Sequence, residues 1–225
     1  MTKLILIIIF FTTLLKEELT INNTKERIWH EALTLFSEHG FDGVSVKEIA
    51  HAVGIKDSSL YNHYRSKQEI FDTILVEVTK TLKESNSNYA LPLIVDTADT
   101  YVDIPIEKLT KIFVDAFKFY LEDEMTAKFR KLLISEQHTQ QYVGDLYNEL
   151  FFETPMKHLT ALFTDLIQQG VFIQTDPYTT AMHFYAPLNF LIRRCDIQPE
   201  LEQQNIAHLK NHIKQFDQIY RVKPK

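Results

Sequence analysis

From residue 23 onward, apolar positions recur at three- and four-residue intervals, and the polar residues between the runs mark where helices start and stop. Ile28, Ala32, Leu35 and Phe36 keep helical period. Asn23 and Glu26 stand ahead of them at the spacing of an N-cap and capping box, and Gly40 follows where a left-handed terminator is wanted. Ser45 and Glu48 repeat the device and open "VKEIAHAV", which stops at Gly54. Asp57 is in place to N-cap a third helix over 58–64. Ser66 with Glu69 forms a third box and opens a long helix over 67–85, with Ile70, Phe71, Ile74, Leu75 and Val78 apolar.

"SNSNYALPLIVDTADTYVDIP" (85–105) reads as a linker by composition, although its apolar residues imply that it packs down. Beyond it the pattern predicts helices over 106–121, 125–137 and 140–169. The last of these is interrupted near Pro155, where Thr154 would N-cap a new start with proline at the first position. Gly170 ends it. Asp176 and Pro177 open a helix to about 194, kinked or broken near Pro187, and a final helix covers 199–220. With no internal repeat, low-complexity tract or hairpin signal, the expected fold class is all-α.

Composition narrows the picture only in places. Five glycines in 225 residues leave long stretches without a breaker, which agrees with helices, and 45% apolar content fits a globular chain. One cysteine, Cys195, excludes a disulfide within the chain and fits a reducing compartment. The formal net charge of −6 offers no general attraction to nucleic acid, so any such partner must be recognised by a local motif.

The apolar run "LILIIIFFTTLL" at 4–15 is too short to span a bilayer comfortably. It resembles the core of an export signal, yet "KEELTINN" follows instead of a small-residue cleavage site. A membrane anchor or signal, an extra helix tucked on the body, and a start codon assigned too far upstream are the three readings. The last is preferred, with the native start near 19–21.

The strongest constellation is a capped helix, a tight turn at Gly54 and a second helix, the spacing of a helix-turn-helix. Ala50 is small where the helices cross, and Ile55 and Leu60 anchor the second helix on Ile49 and Val53. The N-terminal end of that second helix would enter a major groove. Ser58 and Ser59 are short enough for close approach, Asn62 suits an adenine edge, and Tyr61 and His63 suit phosphate or a thymine methyl. Lys56 and Lys67 bracket the segment for phosphate contact, while Ser45 and Lys47 face the adjoining backbone. Across 54–67, Lys56, Arg65 and Lys67 against Asp57 leave a local surplus of two positive charges. Tyr64 is assigned mostly to packing.

With those residues in place, 24–78 resembles the DNA-binding domain of the TetR family of bacterial transcriptional regulators. "ALTLFSEHGFDGVSVKEIAHAVGIKDSSLYNHYRSKQEIF" carries the resemblance through Gly40, Gly43, the Ile49–Ala50 pair, Gly54 and the run from Leu60 to Phe71. The family often has serine where Lys56 stands, and a small residue before the hydroxyl residue of the recognition helix; these departures bear on the bases read. "HLTALFTDLIQQGVFIQTDPYTTAMHFYAPLNFLIRR" resembles the family's penultimate region more loosely. The resemblance implies a homodimer joined through its last two helices as a four-helix bundle, bound to double-stranded DNA at a palindromic operator. It further implies a helical C-terminal domain whose small effector moves the fourth helix and releases DNA.

The implied organisation is an N-terminal extension at 1–22, a three-helix DNA-binding domain at 23–66, and a larger helical effector-binding and dimerisation domain at 67–225, with 67–85 as the connecting helix. A subset of the regularly spaced aromatics Phe113, Phe117, Tyr120, Phe129, Tyr147, Phe151, Phe163 and Phe184 would line a cavity for an apolar or aromatic effector. Tyr142 shares their spacing, and Arg130 or His158 would supply a polar handle.

His208 and His212 have metal-compatible spacing but no acidic or cysteine neighbour, so a solvated or dimer-facing pair is the better reading. Cys195 lacks the setting of a nucleophile, even with Arg193 and Arg194 beside it. No phosphate loop, metal cluster or catalytic triad is visible, so no enzymatic activity, metal or cofactor is expected. The leading expectation is a cytoplasmic, ligand-responsive repressor with no membrane partner. The competing readings are a membrane-tethered regulator and an enzymatic or carrier role for the C-terminal helices.

Overall fold

The computed structural model describes residues 24–89 and 98–222. The capping box at Asn23, the apolar run at 4–15 and the 90–97 part of the expected linker lie outside the described residues. Contacts divide the chain into two compact units, with the boundary between Thr81 and Leu82.

The first unit is built from α1 (Thr24–His39), α2 (Val46–Val53), α3 (Asp57–Leu60) and the start of α4 (Lys67–Tyr89). Helix α1 turns Ile28, Trp29, Ala32, Leu33 and Phe36 inward. Leu33 thus takes the place in the core that periodicity gave to Leu35, which is only half-buried. At the start of α2, the Ser45 hydroxyl accepts the Glu48 amide while the Glu48 carboxylate accepts the Ser45 amide, so the reciprocal box is complete. At its end Gly54 has φ +76°, and the Ile55 amide reaches back to the Ala50 carbonyl, a Schellman turn that a residue with a Cβ would strain. Ala50 is fully buried, and α1 packs against α2. Leu60 and Tyr64 fasten α3 and the turn after it to this core; full burial of such side chains is worth about 1.5–3 kcal/mol each.

The second unit contains α5 (Ala98–Asp103), α6 (Ile106–Glu122), α7 (Glu124–Glu136), α8 (Gln141–Asn148), a π-helical segment (Glu149–Glu153), α9 (Thr154–Gln168), α10 (Pro177–Ile197), a 3-10 turn (Pro199–Leu201) and α11 (Glu202–Tyr220). The expected linker is therefore partly helical: α4 runs four residues past 85, and α5 buries Ala98 and Tyr101. Helix α10 packs on α9, α11 and α6. Phe113, Phe163, Phe172, Phe184 and Phe216 make up an aromatic centre for this unit, with ring centroids as close as 4.9 Å for Phe184 and Phe216. Phe172 and Arg221 form an isolated antiparallel bridge that ties the loop after α9 to the end of α11.

The expected interruption near Pro155 takes the form of a change of helix type, with Pro155 in the first turn of α9. Thr154 is not an N-cap; the helix passes through it by widening into the π-segment, and Thr154 donates to the Glu149 carbonyl five residues back. Pro155 has no N–H to offer the Phe151 carbonyl four residues earlier, and that carbonyl instead accepts the Tyr185 hydroxyl at 2.9 Å and the Asn189 amide at 3.4 Å. Pro187 lies inside α10 without ending it. Among the described residues, no helix is long and apolar enough to cross a membrane.

Candidate nucleic-acid interface

The segment from Lys56 to Lys67 is shorter in helix than its sequence suggests. Lys56 occupies the N-cap position with no side-chain cap, and Asp57 is the first helical residue, where its charge favours the helix N-terminus. The α-helical turn ends at Leu60, so the expected helix over 58–64 is corrected to Asp57–Leu60. The chain then tightens: the Asn62 amide bonds the Ser59 carbonyl at 3.2 Å and the His63 amide bonds the Leu60 carbonyl at 2.9 Å. Ser58, Ser59 and Asn62 are residues that favour such turns over helix interiors. The Tyr64 hydroxyl donates to the Lys25 carbonyl at 3.1 Å, which pins the far end of the segment to α1. Burial pushes the Tyr64 hydroxyl up to about 12, so it stays a donor.

This arrangement sorts the side chains. Leu60 and Tyr64 are buried, while Lys56, Ser58, Asn62 and Tyr61, the last 55% exposed, face outward together with the half-exposed Ser59 and His63. Lys47 on α2 is exposed as well. Arg65, which entered the sequence reading only through its charge, is exposed just past His63; its position directly before a capped helix was the signal for it.

Two expected phosphate contacts are placed in other duties. Both donors of Ser45, amide and hydroxyl, are held by the Glu48 carboxylate at 2.7 Å, so a phosphate would have to displace Glu48. Those hydrogen bonds hold the Glu48 carboxyl below its usual range. The Lys67 ammonium donates to the Phe41 and Val44 carbonyls at 2.7 and 2.8 Å and lies 4.2 Å over the Phe41 ring. It clamps the α1–α2 turn, leaving one N–H of its three for any phosphate. Glu69 departs from its expected box: Ser66 caps its amide at 3.1 Å, but its carboxylate accepts the Arg65 amide at 2.6 Å.

A cleft of about 520 Å³ in the same unit is lined by Trp29, Tyr64, Val76 and the carboxylates Glu26, Glu69, Asp72 and Glu77, with Lys25 the cation in its wall. Its negative surplus makes it unsuited to phosphate, and Tyr61, Asn62 and His63 do not line it.

The expected effector aromatics fall into two sets. Phe113 and Phe163 both pack against Phe184, with centroids 5.0 Å apart for Phe113–Phe184 and 5.7 Å for Phe163–Phe184, and Phe117 is fully buried in the same core. Rings at these spacings fill the space they enclose, so they are core. Tyr120, Tyr147 and Phe151 form the other set, with Phe151 5.1 Å from Tyr147 and 6.3 Å from Tyr120. Phe129 is fully buried on α7, and Tyr142 is exposed. Arg130 is buried and paired with Asp196, and the His158 Nε2 is buried. His212 donates from Nε2 to the Phe184 carbonyl at 2.9 Å, whereas His208 is exposed. Burial pushes the Cys195 thiol up despite the arginines beside it.

The first unit thus presents a helix, a tight turn and a second short helix whose polar side chains face outward, and a second helical unit follows it in the chain. Residues 28–74 match the family described as bacterial regulatory proteins, tetR family. Over 147 residues it is 26% identical to the HTH-type transcriptional repressor KstR2 of Mycolicibacterium smegmatis, covering 65% of this chain and 64% of that protein. Over 47 residues it is 49% identical to IcaR of Staphylococcus epidermidis, a biofilm operon negative transcriptional regulator, covering 21% of this chain and 25% of that one. In both matches the chain spans less than two thirds of the relative's length. A solved structure of a TetR-family regulator from Mesorhizobium loti superposes with a TM-score of 0.61 at 20% identity, over 88% of this chain and 97% of that one, which shows the shared fold.

Proposed function

We propose that this chain is a cytoplasmic transcriptional repressor that binds a palindromic operator as a homodimer and leaves it when a small apolar or aromatic effector binds the second unit. The outward set Lys56, Ser58, Ser59, Tyr61, Asn62 and His63, held by buried Leu60 and Tyr64, carries this reading. Short hydrogen-bonding side chains on a pinned segment suit base edges and phosphates in a major groove. The names of the two relatives support repression as the sign of control.

Dimerisation is supported by α10, where Tyr178, Met182 and Phe190 are exposed at multiples of four positions, with Ile197 continuing the stripe. An exposed apolar stripe of this kind on a long helix asks for a partner. A second copy would place two recognition segments about 34–36 Å apart on one face of DNA.

The test is binding to the chain's own upstream region. Specific retention of that fragment, weakening steeply with salt, is expected. Failure to bind any neighbouring promoter would overturn the reading.

A further inference from the structure

Arg130 on α7 is 3% exposed, and its guanidinium is only partly satisfied. One terminal nitrogen pairs with the Asp196 carboxylate on α10, and the other donates to the Tyr120 carbonyl at 3.2 Å. Its Nε is buried and finds no acceptor among the described residues. A buried charged donor left unmade is costly, and chains seldom keep one without a use for it.

The surroundings say what the use is. Arg193 lies 3.7 Å from the same Asp196 carboxylate, so two guanidiniums share one carboxylate and leave a positive surplus. Tyr120, Tyr147 and Phe151 bring aromatic rings to the same region, the last from the π-segment. The charges acting on the Tyr147 hydroxyl are Arg193, Arg130 and Asp196, which places that ring beside the cluster. The other aromatic set, around Phe163 and Phe184, is closely packed ring on ring. Charge and aromatic surface meet where α6, α7, the π-segment and α10 converge.

We infer that the effector is an aromatic carboxylate, its ring against Tyr147 and Phe151 and its anionic oxygen on the Nε–H of Arg130. A carboxylate matches the planar fork of arginine and offsets the surplus that Asp196 leaves. A cationic ligand would meet that surplus as repulsion, and a neutral one would leave it in place. This inference rests on the second unit being the effector domain.

The test is calorimetric titration of the full chain with 2-naphthoate, 2-naphthamide and 2-naphthylmethylammonium. The carboxylate is expected to bind about tenfold tighter than the amide, and the ammonium most weakly. Arg130→Lys keeps a cation for Asp196 but removes the Nε–H and the fork, and should erase the preference while amide binding stays. Arg193→Gln, at a half-exposed position outside the buried pair, should weaken naphthoate alone, by about threefold or more. That second variant carries the test if Arg130→Lys does not fold. Equal or tighter binding of the amide or ammonium, no naphthoate binding at about 1 mM, or an Arg193→Gln protein with unchanged selectivity overturns the inference. None of those results bears on promoter binding, whose loss would sink the repressor reading independently.

Discussion

Gly54 and Gly43 serve the same stretch of chain for different physical reasons. Gly54 sits at φ +76° with open space where a Cβ would go, so alanine meets only backbone strain. Gly54→Ala should cost about 1–2 kcal/mol. Gly43 has no such angle, but a Cβ there would lie 2.3 Å from the His39 carbonyl oxygen, a backbone atom that cannot swing aside. Gly43→Ala should therefore be the more damaging of the two. Trp29, the chain's one tryptophan, is buried in the first unit, so its fluorescence during urea unfolding reads these losses directly. On the recognition segment, Asn62→Ala and Tyr61→Ala remove exposed groups and should abolish operator retention with helicity unchanged, as checked by gel shift and circular dichroism. Lys67→Met should instead lower the melting temperature, because two carbonyls of the α1–α2 turn lose their donor. These residues also mark what was legible in the chain. Ser45–Glu48 and Gly54 are signals spread over three or four positions, and each does what its spacing implies. Lys67 reaches Phe41 and Val44 more than twenty positions back, and no local pattern announces that contact.

At the scale of elements, the misread stretches are those where a lost backbone hydrogen bond is replaced from a distance. Pro155 reads as a break because sequence shows the missing N–H and not the substitute donor. The Tyr185 hydroxyl, thirty-four positions away, takes the orphaned Phe151 carbonyl, and the helix continues through its π-segment. Tyr185→Phe removes the shorter of the two side-chain donors to that carbonyl and should destabilise the second unit by about 1–3 kcal/mol, measured by chemical denaturation followed by circular dichroism. At α3 the spacing predicts a helix to Tyr64, and the helix ends at Leu60, since Ser58, Ser59 and Asn62 favour a tighter turn. His212 adds a pH dependence to α11. Burial lowers its pKa below the ordinary 6.5, so between the lowered folded value and 6.5 the unfolded chain binds the proton and the folded one does not. Stability should fall as pH drops below about 6.5 through that window and level off above it. His212→Gln should flatten this part of the melting-temperature profile.

For the molecule as a whole, the decisive question is whether two copies act together. Helix α10 buries Thr180, Ala181, Phe184, Tyr185, Leu188, Leu191, Ile192 and Cys195, and leaves Tyr178, Met182, Phe190 and Ile197 exposed. Phe190 is 62% exposed near the middle of that stripe, so replacing it leaves the unit's own core untouched. Phe190→Glu should then give a folded monomer, seen as a halved mass in sedimentation with an unchanged circular dichroism spectrum and a melting temperature that no longer depends on protein concentration. The effect on DNA follows from linkage. A dimer on a palindrome makes its second half-site contact at high effective concentration, and such coupling raises affinity by about 10²–10⁴. The monomer should lose that factor on the full operator yet bind an isolated half-site as the native chain does. A Phe190→Glu protein that still sediments as a dimer would move the interface away from α10. A monomer that binds the full operator undiminished would mean that one recognition segment suffices. The half-site comparison separates these outcomes because the recognition segment is held by Leu60 and Tyr64 within its own unit, where the substitution leaves every contact in place.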